Sequence, residues 1–181
     1  MPTPAQISHD IEWEHIDWLV VNEGEAQQLL DAFSAASHVI LPEAQIPEGA
    51  PASVLRSSEL LSRLTSRPSF KKVNIMCTLG PLGVLARLPS ATMGDDTQVI
   101  YEPGAPTKEV RDTTGAGDCW TGYLVAGLME LEEKSTSESI LLERGDIHRL
   151  LKKCNQVRRC FIDLFILFVL FSGNLFADIM Q

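Results

Sequence analysis

The segment "VRDTTGAGDCWTGYLVAGLMEL", Val110 to Leu131, constrains the fold more than any other stretch of the chain. It joins a strand end to an apolar helix through a turn made of Gly115, Ala116 and Gly117. Glycine lets a backbone approach a ligand with no Cβ in the way. The first amides of the following helix have no partner inside it, and the helix dipole adds partial positive charge there. Such a turn is an anion site, suited to a phosphate whose charge is growing. Asp118 closes the turn, where it could accept a proton from an attacking hydroxyl, a contribution typically of about 10²–10⁴ in rate. A plainer account covers the same residues: Asp118 as a helix cap and the glycines as a tight turn.

Strand-like and helix-like stretches alternate before and after this segment. "WLVV", Trp18 to Val21, is a short apolar run of strand type. "NEGEAQQLLDAF" follows with helical spacing at Ala26, Leu29, Leu30 and Phe33. "HVILPEAQIPEGAPAS" is rich in Pro, Gly and Ala and reads as a loop. A helix is predicted over Val54 to Leu64. "KKVNIMCTLGPLGVLARL" then predicts strand, glycine turn, strand, with Gly80 and Gly83 bracketing the turn. "TMGDDTQVIYEPG" predicts a further turn and strand, and the opening segment a helix from about Asp118 to Leu131. Beyond "STSES", Ile147, Leu150, Leu151, Cys154 and Val157 form an apolar stripe at helical spacing, with Arg149, Lys152 and Lys153 outside it. This alternation predicts an α/β sandwich with a largely parallel sheet.

At 181 residues the chain is long enough for one domain with a sizeable core. The net charge of −9 argues against nonspecific nucleic-acid binding, which needs a basic surface to displace counterions. Cys77, Cys119, Cys154 and Cys160 form no C-x-x-C pair and have no His at ligand spacing, so reduced, buried thiols are expected. "MPTPAQISHDIEWEH" lacks a basic region followed by an apolar stretch, so no secretory signal is read and a cytosolic or nuclear setting is expected. His9, His15, His38 and His148 match no motif.

The tail breaks the pattern. "CFIDLFILFVLFSGNLFADIMQ" is apolar on every side, with no amphipathic period. Its uninterrupted run, Leu164 to Phe171, would cover only about 12 Å as a helix. A membrane span needs roughly 20 apolar residues. Extending the run brings in Asp163, and an Asp within a span costs about 2.5–3.5 kcal/mol. A membrane span is therefore not expected.

"DTTGAGD" with the following "CWTG" resembles the second signature of the PfkB carbohydrate kinases, the ribokinase-like family. Two further elements occur in the family's order. "VVNEGEA" resembles its N-x-x-E motif, and "TLGPLG" resembles its nucleotide-binding T-L-G-x-x-G turn. The resemblance runs from about Trp18 to Val157. It implies a three-layer α/β/α sandwich, here incomplete, and ATP-dependent transfer of a γ-phosphoryl group to a sugar hydroxyl. "NEGEA" with "DTTGAGD" leans toward ribokinase, with fructokinase or another sugar or nucleoside kinase behind it.

Residue by residue, the resemblance makes Asp118 the base that takes the sugar hydroxyl's proton, and Gly115, Ala116 and Gly117 the anion hole for the transferred group. Thr78, Leu79, Gly80, Pro81, Leu82 and Gly83 would line the nucleotide site, with Thr78 and Gly80 near the phosphates. Asn22 would face the nucleotide, and Glu25 would hold the Mg²⁺ environment through water. Asp112 and Thr114 would belong to a monovalent-cation (K⁺) site, and Asn155 would lie beside the adenosine. Local chemistry offers simpler roles for several of these. Asn22 and Glu25 have the spacing of a helix-capping box, Gly80 and Gly83 suit a hairpin turn, and Asn155 suits a polar position on a helix.

Relatives place most sugar-binding residues and a small β lid before the N-x-x-E motif, and only about twenty residues precede Asn22 here. The resemblance therefore implies a kinase domain over residues 1–157 lacking its sugar-binding half and its lid-borne homodimer interface. The tail, 158–181, is expected to be foreign to the kinase structure, as after a frame change or retained intron near Val157. Little or no turnover is expected of the isolated chain. The competing expectation is a noncatalytic product, a nucleotide-binding remnant or interaction fragment; a third, membrane-anchored class rests on the tail alone.

Overall fold

The computed structural model describes residues 11–33, 49–89, 97–106, 115–134 and 145–157. The chain divides into two compact units, Met1–Pro103 and Gly104–Gln181, and each is described by itself.

In the first unit, β1 (Trp18–Asn22) leads directly into α1 (Glu23–Ala32), followed by α2 (Leu55–Thr65). Three strands complete the sheet: β2 (Asn74–Thr78), β3 (Val84–Leu88) and β4 (Gln98–Glu102). The strand order is β1-β2-β3-β4. The sheet is mixed. Only β1 and β2 run parallel, while β2–β3 and β3–β4 are antiparallel. The helical crossover between β1 and β2 permits a parallel pair, whereas the tight glycine turn after β2 returns the chain alongside itself. The largely parallel sheet expected from the alternation is thus confined, among the described residues, to one strand pair.

Both helices sit where their apolar spacing directs them. Helix α1 buries Ala26, Leu29 and Leu30, and α2 buries Leu60, Leu61 and Leu64. These join Val21, Ile75, Cys77 and Leu85 in one core cluster. Three aromatic rings close its end. Trp13 lies edge-to-face on Phe70 with centroids 4.7 Å apart, and Phe33 packs on Phe70 at 5.1 Å. Such pairs add about 0.5–1.5 kcal/mol each beyond their burial. On alternate strand positions Met76, Val84, Ala86 and Ile100 are also buried, so both faces of the sheet carry apolar side chains.

In the second unit, α3 (Ala116–Lys134) begins two residues earlier than the sequence suggested. A further helix, α4, spans residues 145–157. Of its expected stripe, Ile147, Leu150, Leu151 and Cys154 are buried and Val157 is half-buried. A Cβ on Gly127 of α3 would lie 2.2 Å from Leu150 Cδ1, so the missing side chain sets how closely the helices meet. Trp120 Nε1 donates to Asn155 Oδ1 at 2.9 Å in a buried hydrogen bond. Contacts of 120 with 155 and of 127 with 150 make the two helices antiparallel.

Cys77 and Cys154 are buried and Cys119 is half-buried, and all three are free thiols. Cys160 and the whole tail lie outside the described residues. Among those described, no helix is long and apolar enough to cross a membrane.

Candidate functional site

The parallel strands β1 and β2 end side by side, with Asn22 paired to Thr78 in the register. The same row continues through Val84 to Glu102. Carboxyl ends of parallel strands are where open α/β sheets take their ligands. Two of the sequence's candidates therefore come from positions 22 and 78 to adjacent places on one sheet edge.

Asn22 and Glu25 are locked together. Asn22 Oδ1 accepts from the Glu25 amide at 2.9 Å, and Glu25 Oε2 accepts from the Asn22 amide at 2.8 Å. This capping box satisfies two orphan backbone donors reciprocally and fixes the start of α1. Both residues nonetheless remain exposed. Glu23, between them, accepts from the buried Ser57 hydroxyl of α2. Burial first, then the carboxylates of Glu23 and Glu25, push the Cys77 thiol up to about 12.

The turn after β2, residues 79–83, is closed on itself. Leu79 N–H donates to Gly83 O at 2.8 Å, Leu82 N–H to Leu79 O at 3.1 Å, and Gly83 N–H to Gly80 O at 3.1 Å. The middle, Gly80–Leu82, is a single 3₁₀ turn. Gly83 has φ 103° and ψ −132°, a conformation a side chain would strain. Leu79 and Gly83 are buried, whereas Pro81 and Leu82 face outward and Thr78 and Gly80 are half-buried. Thr78 Oγ1 leans toward Val21 O at 3.5 Å. From β4, Tyr101 Oη donates to Leu82 O at 2.7 Å. Sequence reasoning missed Tyr101. Its only signal was an aromatic at the alternating inward position of "QVIYE".

In the second unit the glycine turn has the opposite character. Gly115 has φ 76°, and its carbonyl accepts the first intrahelical bond, from Cys119 N–H at 2.9 Å. The amides of Ala116, Gly117 and Asp118 precede that bond and have no partner within the helix. Ala116 is buried, and Gly117 and Asp118 are exposed. A Cβ built on Gly117 would meet nothing within 4 Å. Asp118 lies in the first turn of α3, as an acidic residue at a helix start favours.

Asn155 is buried, and its carbonyl oxygen takes the Trp120 indole proton. The sequence hinted at neither the burial nor the partner, because the two residues lie far apart along the chain. Asp112 and Thr114 fall outside the described residues. Among the described residues no group of three or more His, Cys, Asp or Glu could hold a metal ion.

Comparison with solved structures places this mixed α/β architecture in the ribokinase-like class of folds. The chain matches the pfkB family carbohydrate kinases over residues 3–142, and it belongs to that family. Ribokinase from Cryptococcus neoformans var. grubii serotype A, solved in complex with ADP, is 36% identical with a TM-score of 0.57. That match covers 86% of this chain but 42% of the ribokinase, so the chain spans less than half the length of that protein. Ribokinase from Giardia lamblia is 22% identical over 88% of this chain and 40% of its own, with a TM-score of 0.51. Burkholderia thailandensis nucleoside kinase, solved with inosine, has 18% identity and a TM-score of 0.51, over 90% of this chain and 38% of its own. The last two share the fold.

Proposed function

We propose that the chain carries the nucleotide and phosphoryl-transfer machinery of an ATP-dependent sugar kinase of ribokinase type. The observation that carries this reading is the start of α3, where amides with no partner in their own helix, a glycine with open space before it and the exposed Asp118 stand within one turn. The amides of Ala116, Gly117 and Asp118 would hold the migrating phosphoryl group, and Asp118 would take the proton from the acceptor hydroxyl. Thr78, Gly80 and the outward tip of the 79–83 turn would lie along the nucleotide.

Magnesium in nucleotide sites is held largely by phosphate oxygens and water, with one or two carboxylates. The donor set here fits that pattern, since Glu25 offers a single exposed carboxylate whose one oxygen is already committed to a backbone amide. When bound, the ion would neutralise charge on the phosphates. Asp112 and Thr114 would contribute to a monovalent-cation site that orders the anion hole. Asn155 acts here as a brace between α3 and α4, and contact with adenosine would be additional to that.

Phosphoryl transfer is catalysed mainly by positioning and electrostatics. The chain spans 42% of the Cryptococcus ribokinase, so we propose that it binds Mg·ATP while turning over sugar slowly or not at all on its own. A noncatalytic nucleotide-binding product is the second reading, favoured by Asn22 and Glu25 being engaged with each other. Calorimetry with Mg·ATP and a coupled assay for ribose-dependent ADP release separate these readings. The expected result is heat of binding with little ADP release, and any release falling by about 10²–10⁴ in Asp118→Asn. Brisk release that survives Asp118→Asn would refute the assignment of the base.

A further inference from the structure

The Leu82–Gly83 peptide is held from both ends. Its N–H donates to Gly80 O at 3.1 Å, within the turn, and its carbonyl accepts from Tyr101 Oη at 2.7 Å, from a neighbouring strand. This peptide is the one whose rotation is cheap in such a turn, because Gly83, with φ at 103°, tolerates both signs of φ. A flip would exchange the directions of the carbonyl and the N–H, redrawing the polar surface of 80–83 without disturbing β2 or β3. The internal 3.1 Å bond is a single neutral one, made by Gly83 and Gly80 behind the exposed Pro81 and Leu82, and alone it resists this weakly. The phenol reaches the tip from outside the turn, and its ring is packed against the core of the first unit. Burial, then the charge of Glu102, hold the Tyr101 phenol above its ordinary range, so it stays a donor throughout the neutral range.

We infer that Tyr101 is a positioning residue that fixes the orientation of the Leu82–Gly83 peptide and so presents the 78–83 turn to a nucleotide in one conformation. The inference rests on the nucleotide-binding reading of that turn. Tyr101→Phe removes the donor and keeps the ring, so the core loses nothing else. Tyr123→Phe, on the exposed face of α3, is the control. Amide exchange at Gly80, Leu82 and Gly83 is read in the free chain, Mg·ATP affinity by calorimetry, and Tm alongside both. Tyr101→Phe should speed exchange at Gly80, Leu82 and Gly83 and weaken Mg·ATP by about 2- to 10-fold, the range set by one hydrogen bond, with Tm lowered by only a few degrees. Tyr123→Phe should do neither. Unchanged exchange, or faster exchange with unchanged affinity, overturns the inference while leaving the nucleotide reading in place. A wild-type chain that binds no Mg·ATP removes both together.

Discussion

The two glycine turns look alike as text and direct their backbone hydrogen bonds differently. "TLGPLG" folds into a turn whose peptides bond to one another and to Tyr101. "TTGAGD" ends in helix amides that bond to nothing in their own helix, beside a glycine facing open space. In the first, glycine supplies a backbone conformation, as Gly83 with its φ of 103° makes plain. In the second, Gly115 also takes a positive φ, 76°, but Gly117 is helical and leaves open space where a side chain would stand. A glycine-rich motif can thus be a closed platform or an open mouth. The difference is read from where the backbone hydrogen bonds go, not from the number of glycines.

The cysteines beside the two turns offer the largest contrast. Cys77 leads into the closed turn and is buried, with its thiol pushed up to about 12, while Cys119 follows the open one and is half-buried. In the native chain at pH 8, a disulfide reagent should modify Cys119 more than about a hundredfold faster than Cys77, because only the thiolate reacts. Peptide mapping of the labelled protein checks this, and equal rates would mean that the first turn opens readily. The sign of the stability effect follows as well. A raised thiol pKa favours the folded state fully below the ordinary thiol range, and that contribution declines as pH climbs toward 12.

Next in size is Gly83→Ala. The new Cβ would be strained at φ 103°, ψ −132°, so unfolding free energy should fall by about 1–3 kcal/mol in a denaturant titration. A loss no larger than that of a surface substitution would show that the turn relaxes freely, and the distinction between platform and mouth would blur.

Much of this was legible in the sequence where the chemistry is local. Asn22 and Glu25 stand three residues apart, and that spacing alone forecasts the capping box found between them. The stripe from Ile147 to Cys154 forecasts its own burial, because helical periodicity needs no knowledge of the partner. Pairing across distance was not legible. Nothing in "NIMCT" or "VLARL" states that β2 and β3 run antiparallel beside a parallel β1, since the strands alternate in the same way in either case. Asn155 reads as a surface polar residue on a helix, and only packing against α3 reveals that it receives the Trp120 indole proton. The Tyr101 phenol and the Glu23–Ser57 bond were hidden for the same reason, each joining elements well separated in the chain.

The central claim, that the start of α3 receives a phosphate, is tested most directly by calorimetry of Mg·ATP with the wild-type chain and Gly117→Ala. The added methyl enters open space on a helix that alanine favours, so Tm should hold or rise slightly. The same methyl stands where the phosphate must come, so affinity should fall by at least about tenfold, some 1.4 kcal/mol. Equal affinity in the two proteins, or no binding by the wild type, would contradict the account.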